Sequence, residues 1–436
     1  MARSVVGESV TTNAETETMA PGQALKIIVG AGLGVYLNSA SFLVYSFGVF
    51  VLPIAAQTGW NRTYIAAAIG PTTLVIGLLC PFMGQLVDRF GAHRFALISF
   101  PSLALGLILL GLVPRSPGAF AAVFILAGIL SAGQTPVAYS YMVAAWFDAR
   151  RGLALGVTLA FTGLGISSIP LLAAALIPTF GWRNTYVILG VIVFCAGLPV
   201  AHWLVQDPPT PRHGSPGRPA GISLRQASRA RPLWTFVAAF FLVAVATGAG
   251  IVPFPALLAD RGVQPQRAAM IMTVIGLSMI GGRVVVGALF DRLFAPRLAA
   301  AVFAAPMLAH VLLATSANGN VAIIAGVLFG LGLGADTDAL AYLTSRAFGM
   351  QHFGKIYGIT FAAFTVGIGA GPALVALLLS HFGRYSPGNW IAATSAGLAA
   401  ILILTLARKD LPYVRAAAPV TTPGRTRTVD QPGSPG

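Results

Sequence analysis

Charged residues are scarce in this sequence. Only 9% of its 436 residues are Asp, Glu, Lys or Arg, whereas a soluble domain carries about 25%. Together with the 56% of residues that are hydrophobic, this scarcity excludes an ordinary water-soluble enzyme. It also excludes a disordered chain, because disorder requires low hydrophobicity and high charge.

Cysteine is nearly absent. Cys80 and Cys195 both lie inside apolar runs, so they form neither a disulfide framework nor a metal cluster, and we expect no metal and no cofactor. The first residues are polar and acidic and lack a basic start followed by an apolar stretch, so we expect no cleavable signal peptide among them.

Long apolar runs are what the sequence has in abundance. A membrane-spanning helix needs about 20 mostly apolar residues, and twelve such runs are present. They cover about 25–52, 63–87, 94–113, 119–145, 152–178, 184–205, 232–259, 267–290, 297–316, 320–345, 356–380 and 388–407. The sequence therefore predicts an all-α membrane protein with twelve transmembrane helices.

A polar break divides these runs into two sets of six. Residues 206–231 are rich in Pro, Gly, Ser and Arg, which is typical of a flexible linker. The predicted organisation is an N-terminal tail (1–24), a six-helix half (25–205), the linker (206–231), a second six-helix half (232–407) and a C-terminal tail (408–436).

The positions of the cations predict the orientation. With both termini inside, twenty Arg and Lys residues fall on the inner side and six on the outer side, as expected for cytoplasmic loops. We therefore expect a multi-pass protein of the inner (cytoplasmic) membrane with both termini in the cytoplasm. The net charge of +15 is then a topology signal with an attraction for membrane lipid, and not a sign of nucleic-acid binding.

The two halves repeat each other. The residues Gly152, Gly156, Gly165, Pro170, Phe180 and Gly181 recur 202 positions later, and Gly84 and Asp88 recur 203 positions later as Gly287 and Asp291. Two parallel six-helix halves around a central site are an architecture of secondary transporters.

A loop motif carries the first family resemblance. The second predicted helix ends in Gly84-Gln-Leu-Val-Asp88-Arg89-Phe-Gly91-Ala-His-Arg94, with a degraded copy at Gly287-Ala-Leu-Phe-Asp291-Arg292. It resembles the loop signature of the major facilitator superfamily, G-x-L-a-D-r-x-G-r-r-x. A small Gly permits close helix approach, and the Asp can accept hydrogen bonds from a helix end or a loop Arg and hold the inner side shut.

A narrower resemblance is to the monocarboxylate and oxalate–formate carriers of that superfamily. It rests on three stretches: Trp146-Phe147-Asp-Ala-Arg150-Arg151-Gly-Leu153-Ala154-Leu-Gly156, Arg346 to Gly358, and Gly59-Trp60-Asn61-Arg62. The first is similar to the signature Y-F-x-K-R-R-x-L-A-x-G, with Trp for Tyr and Ala149 for Lys. These motifs predict a gate at the following positions: Gly84, Asp88, Arg89, Gly91, Arg94, Asp291, Arg292, Arg150 and Arg151.

Three charged residues lie deep within predicted helices. Arg283 is in the eighth helix, and Asp336 and Asp338 are in the tenth, at a similar depth. Intramembrane charges are costly and mark functional sites, and an Arg–Asp pair offsets part of the cost. Residues two apart lie about 200° apart around a helix, so we expect only one of the two aspartates to pair with Arg283.

The chemistry of these three residues predicts anion transport. Arginine stays protonated and presents a planar fork to a carboxylate, while a buried aspartate can take up a proton. We expect Arg283 to bind substrate and Asp336 or Asp338 to couple protons. The resemblance implies the same role for Arg283, since the monocarboxylate carriers have a substrate-binding arginine in the eighth helix.

The resemblance also implies which residues line the path. The helices that line it in this superfamily contribute Asn38, Tyr36, Tyr45, Gln134, Tyr139, Phe254, Tyr342, Phe361 and Phe364. This chain departs from its relatives at two lysines: Tyr45 lies about where animal carriers have one, and Phe361–Phe364 offers none where the oxalate carrier has one. A small or aromatic monocarboxylate therefore fits better than a dicarboxylate.

The predicted function is proton-coupled transport of a small organic anion by alternating access, for which a monomer suffices. An anion exchanger of the oxalate–formate type and a proton-driven drug or metabolite efflux pump are the alternatives within the superfamily. A membrane-embedded receptor or enzyme is disfavoured, because the sequence shows no catalytic His/Ser/Cys constellation and no soluble domain long enough to signal.

Overall fold

Long helices make up almost all of the structure. The computed structural model describes residues 21–208, 221–316 and 319–406. Within them, ten helical stretches are long and apolar enough to cross a membrane. Most of the predicted N-terminal tail, the middle of the predicted linker and the predicted C-terminal tail lie outside the described residues.

Two of these stretches each contain two crossings. Arg62–Gly111 has 50 residues and Arg151–Leu204 has 54, whereas about 20 residues span a bilayer. The first is broken at Gly91 and the second at Gly181, which have φ of 80° and 74°, a left-handed conformation that glycine adopts at little cost. The described chain thus contains the twelve predicted crossings.

We number these crossings in chain order. They are α1 (Gly22–Thr58), α2 (62–90), α3 (92–111), α4 (Pro117–Trp146), α5 (151–180), α6 (182–204), α7 (Arg231–Ile251), α8 (Pro265–Phe290), α9 (Ala295–Thr315), α10 (Gly319–Phe348), α11 (Phe353–Phe382) and α12 (Ser386–Leu404).

Two helices of the first half are interrupted at the same place. In α1 the regular helix ends at Tyr36 and a π-helical turn follows at Ala40–Tyr45. In α4 the helix stops at Ser131 and restarts at Pro136. A hydrogen bond joins the two breaks, since the backbone N–H of Ser39 donates to the backbone carbonyl of Gln134 at 2.9 Å. Such irregular backbone in a membrane is tolerated where it faces a cavity or protein.

The second half has one comparable break. The sequence predicts a kink at Pro253 and Pro255, and the structure ends α7 at Ile251 and starts a short helix at Phe254–Asp260. A short helix also forms at Leu224–Arg229, in the predicted linker, where a capping box joins Ser223 and Gln226. The N–H of Ile222 donates to the carbonyl of Phe348, so this part of the linker is attached to the end of α10.

The halves meet along two equivalent helix pairs, α2 with α11 and α5 with α8. Glycines make the approach possible. A Cβ on Gly156 would collide with the backbone of Arg283, and one on Gly358 would collide with the backbone of Cys80. These two contacts are at equivalent positions of the repeat, and small residues permit such tight helix packing in lipid.

Candidate functional site

A central cavity lies between the two halves. Its volume is about 160 Å³, which is close to the ~150 Å³ of an apolar cavity that accommodates benzene. Helices α1, α2, α4, α5, α8, α10 and α11 contribute to its wall. Its lining residues are mostly apolar, with Asn38, Ser39, Tyr45, Thr73, Thr135, Thr162, Arg283, Thr337 and Thr365 as the polar ones.

Arg283 is the cation of this wall. Its Nη1 donates to Asp338 Oδ1 at 2.5 Å and to Thr337 Oγ1 at 3.1 Å. Its Nε has no hydrogen-bond partner among the described residues. Arg283 and Thr337 line the cavity, while Asp338 lies behind them and is 1% exposed. The guanidinium is therefore held from behind by a carboxylate and presented to the cavity from α8.

The two aspartates of α10 have different surroundings. Asp338 forms the ion pair with Arg283, whereas Asp336 Oδ1 accepts the backbone N–H of Thr337 at 2.7 Å. Both side chains are buried, and the Oδ2 atom of each has no partner among the described residues. One of the two aspartates pairs with Arg283, and that aspartate is Asp338.

Four of the other predicted path residues share this cavity. Asn38, Tyr45, Phe361 and Phe364 line it. The Asn38 amide oxygen accepts the N–H of Ser41 at 2.8 Å, and its Nδ2 has no partner in the described chain. Phe361 and Phe364 stack with their ring centroids 6.1 Å apart. Tyr45 is 43% exposed.

The remaining predicted path residues lie outside the cavity lining. Tyr36 bonds to Ser168 at 2.8 Å, and the Tyr139 hydroxyl donates to Gln134, whose amide donates to Ser99. Phe254 packs edge-on against Phe329, and Tyr342 stacks on Phe290. Each of these five side chains has a partner within the protein that accounts for its position.

Some of the predicted gate residues contact the opposite half on one side of the molecule. We call this side the linker side and define it by Asp88, Asp148, Ile222 and Asp291. Asp88 accepts the backbone N–H groups of Gly354 and Lys355 at 2.7 and 2.9 Å. These are the first-turn donors of α11, which have no partner within the helix. Gly84 lies against Gly354 so closely that a Cβ would collide with its carbonyl.

The second half repeats this arrangement. Asp291 accepts the N–H groups of Gly152 and Leu153 at 2.8 and 2.9 Å, at the start of α5. Gly287 is in backbone contact with Gly152. We call these two contacts the Asp88 lock and the Asp291 lock. Each joins one half to the other at the linker side.

The gate arginines differ in their contacts. Arg151 is buried and donates to Phe147 O, Ser345 Oγ and Asp148 Oδ1. Arg89, Arg94, Arg150 and Arg292 are exposed. Gly91 forms the turn between α2 and α3, where the carboxylate of Asp207 accepts the N–H of Ala92 at 2.6 Å.

Three residues of the site were missed by the sequence analysis. Thr337 lies between Asp336 and Asp338 in the sequence and lines the cavity. Asp148, inside the quoted motif, bridges Arg151 and Arg346. Asp207 caps α3 from the start of the linker. Asp148 could have been predicted, because it is an acidic residue within an arginine-rich motif. The contact of Asp207 with α3 could not, because nothing near Asp207 in the sequence indicates it.

A central cavity between two six-helix halves is an architecture of secondary transporters. A protein-family model described as the Major Facilitator Superfamily matches residues 33–335. The chain belongs to this superfamily, and its apolar helices are those of a multi-pass membrane protein. The relatives and the solved structure compared below are named as transporters.

Three relatives illustrate the similarity. The chain is 28% identical to the uncharacterized transporter YcxA of Bacillus subtilis over 38% of this chain and 40% of that one. It is 37% identical to Monocarboxylate transporter 11 of Homo sapiens over 35% of this chain and 32% of that one. The match therefore spans less than half the length of YcxA and of Monocarboxylate transporter 11. It is 27% identical to the Gallate transporter of Pseudomonas putida over 76% and 83%.

The fold also matches solved structures. The human organic anion transporter MFSD10 superposes with a TM-score of 0.67 and 16% identity, covering 88% of this chain and 100% of that one. At this level of identity the likeness concerns the fold. It confirms the predicted twelve-helix architecture.

Proposed function

We propose that the protein is a secondary active transporter of small organic anions, chiefly monocarboxylates, that couples their movement to protons by alternating access. It would act in the inner membrane with its linker side and both termini in the cytoplasm. The observation that carries the proposal is the Arg283–Asp338 ion pair at the wall of a small, mostly apolar cavity.

The charge balance of this pair supports a stoichiometry of one anion with one proton. When the substrate carboxylate binds Arg283, the hydrogen bond from Nη1 to Asp338 breaks, and Asp338 takes up a proton. The group of Arg283, Asp338 and substrate then has the same zero net charge as the empty ion pair. A buried site avoids an uncompensated charge in this way, which would otherwise be expensive.

The rest of the wall supports a monocarboxylate with an apolar or aromatic body. Arg283 is the cation among the cavity-lining residues of the described chain, so a second carboxylate would have no partner there. Phe361 and Phe364 offer ring faces and edges to an aromatic substrate. The names of two relatives agree with this class, since gallate is itself an aromatic monocarboxylate.

The test is uptake into proteoliposomes of labelled acetate, benzoate and succinate, with and without a pH gradient that is acidic outside. We expect a pH-driven accumulation of the two monocarboxylates that Arg283→Gln abolishes. Cys80→Ala is the matched control, because Cys80 occupies the buried position of the first half that is equivalent to Arg283. We expect this variant to retain transport. A strong succinate preference, or unimpaired uptake by Arg283→Gln, would overturn the proposal.

The proton role is tested separately with Asp338→Asn and Asp336→Asn. Because the neutral amide mimics a protonated Asp338, we expect Asp338→Asn to exchange labelled for unlabelled benzoate while losing its response to the pH gradient. If only Asp336→Asn loses that response, Asp336 is the coupling residue. Uptake that requires preloaded anion in the wild type would identify an exchanger instead.

A further inference from the structure

A second cavity opens on the outer surface of the first half, between α2, α3 and α4. Its volume is about 370 Å³, and we call it the α2–α4 groove. Its wall is mostly apolar and includes Met83, Leu86, Phe90, Ile98 and Leu130. Ile98 is 70% exposed and Phe90 is 45% exposed, so the groove faces the surroundings of the protein and is separate from the central cavity.

The groove extends into the membrane from the linker side. Arg94 lines it in the first turn of α3, and Ser102 lines it eight residues further along. Eight helical residues rise about 12 Å, which is most of the ~15 Å hydrocarbon depth of one leaflet. An apolar groove of this length, parallel to the lipid chains, has the dimensions of a site for an acyl chain.

A cation lies at the linker-side end of the groove. Arg94 lines the groove, is exposed, and makes no hydrogen bond or ion pair within the described residues. Arg89 lies over the ring of Phe90, which lines the groove, at 5.2 Å, but Arg89 itself lines a separate pocket beside Asp88 and Lys355. Within the described residues neither Asp88 nor Asp207 forms an ion pair with Arg94, and both accept backbone N–H groups.

We propose that the α2–α4 groove is a binding site for an anionic glycerophospholipid of the linker-side leaflet. Its phosphate is bound by Arg94, and one acyl chain lies along α3. Charge complementarity supports this occupant, because anionic lipids attract basic groups at the membrane surface and guanidinium suits phosphate.

The site has a physical connection to the central cavity. Ser99 lines the groove and accepts a hydrogen bond from the Gln134 amide at 2.8 Å, and the Gln134 carbonyl accepts the N–H of Ser39, which lines the cavity. A bound acyl chain therefore supports the wall behind the paired breaks of α1 and α4.

The repeat supplies a matched control. Arg297 lies 203 positions after Arg94, in the equivalent first turn of α9, and it is also exposed. It lies over Phe294 at 5.6 Å and lines none of the cavities described above. Arg94→Gln and Arg297→Gln thus remove the same charge at equivalent places, with and without the groove. Ser102→Phe fills the groove and leaves its charge unchanged.

The experiment is a titration of the purified full-length protein with phosphatidylglycerol, phosphatidylcholine and inorganic phosphate, followed by native mass spectrometry. We expect one tight phosphatidylglycerol site, about tenfold weaker binding in Arg94→Gln through loss of a charge-assisted hydrogen bond, weaker binding in Ser102→Phe, and wild-type binding in Arg297→Gln.

Three results would overturn the proposal. Equal losses in Arg94→Gln and Arg297→Gln would indicate general attraction to a basic surface. Phosphatidylcholine binding as tight as phosphatidylglycerol would exclude recognition of negative charge. Full competition by inorganic phosphate, with Ser102→Phe unaffected, would indicate an anion site that holds no acyl chain. A thermal melt of each variant without lipid verifies that it is folded.

Discussion

The two halves of the molecule share their locks but not their charges. The Asp88 and Asp291 locks have their aspartates 203 positions apart and their backbone donors 202 positions apart, with N–H···O distances that agree within 0.1 Å. The cavity wall is different. Arg283 corresponds to Cys80, and with the spacing of 202 Asp336 and Asp338 correspond to Gln134 and Pro136.

Under the proposed function, this difference separates two requirements of a transporter. Opening and closing the linker side would involve both halves equally, and both have a carboxylate over the first turn of a helix in the other half. Binding one small anion would require one cation, and a second buried Arg–Asp network would add desolvation cost without a ligand to share. In this proposal the symmetric part of the structure serves motion, and the asymmetric part binds the substrate.

The largest expected effect comes from removing one partner of the asymmetric ion pair. Asp338→Asn leaves Arg283 buried without its counter-charge, and breaking a buried pair in this way costs about 3–5 kcal/mol. We expect a marked fall in the thermal unfolding temperature of the purified protein. Arg283→Gln combined with Asp338→Asn should recover part of that loss, since no buried guanidinium is then left without its paired carboxylate.

Pro136→Asn is the control at the position equivalent to Asp338 and measures the effect of a polar amide without charge removal. A double variant that is as unstable as the sum of the two single losses would show that the two side chains contribute independently, and it would contradict the ion pair as the reason for their burial.

The locks are expected to have an intermediate and equal effect. Asp88→Asn or Asp291→Asn removes a charged acceptor from two backbone N–H groups, and hydrogen bonds to charged groups contribute about 1.5–3 kcal/mol. Each variant should shift the population toward a state open at the linker side. Spin labels on Ala149 and Gln351, two exposed loop positions in opposite halves, measure that opening as a longer distance.

The comparison of the halves predicts that the two substitutions shift the distance distribution by similar amounts. A large shift for one variant and none for the other would mean that the two locks differ in free energy despite their equivalent geometry. The labels require a background in which Cys80 and Cys195 are replaced, and that background is the reference for both variants.

The smallest expected effect concerns Asp148, which forms ion pairs with Arg151 and Arg346. Its side chain is 79% exposed, and exposed ion pairs contribute about 0.2–1 kcal/mol. We expect Asp148→Asn to change the same spin-label distance distribution slightly, and the change should vanish at high salt because exposed charges are screened. A shift as large as that of Asp88→Asn would identify Asp148 as a third lock.

Hydropathy, charge distribution and internal spacing identified much of this protein before its structure. Twelve apolar runs predicted twelve crossings, because lipid requires helices of a fixed length. Depth along the helix predicted that Arg283 and an aspartate could meet, since rise per residue is constant. The spacing of 203 between Asp88 and Asp291 predicted equivalent roles for the two loops.

Only the tertiary structure decided which side chains face each other. Helical periodicity gives the faces of α10 but not its rotation about its own axis, so the choice of Asp338 over Asp336 depended on the packing of α8 against α5 and α10. Likewise, Gln134 and Tyr139 form an internal network while Phe361 and Phe364 line the cavity. The breaks in α1 and α4 depend on the contact between Ser39 and Gln134, which are about a hundred residues apart. The position of Thr337 depends on its contact with Arg283, about fifty residues away. Local sequence sets the length and depth of each helix, whereas long-range packing sets its orientation, and a binding site requires both.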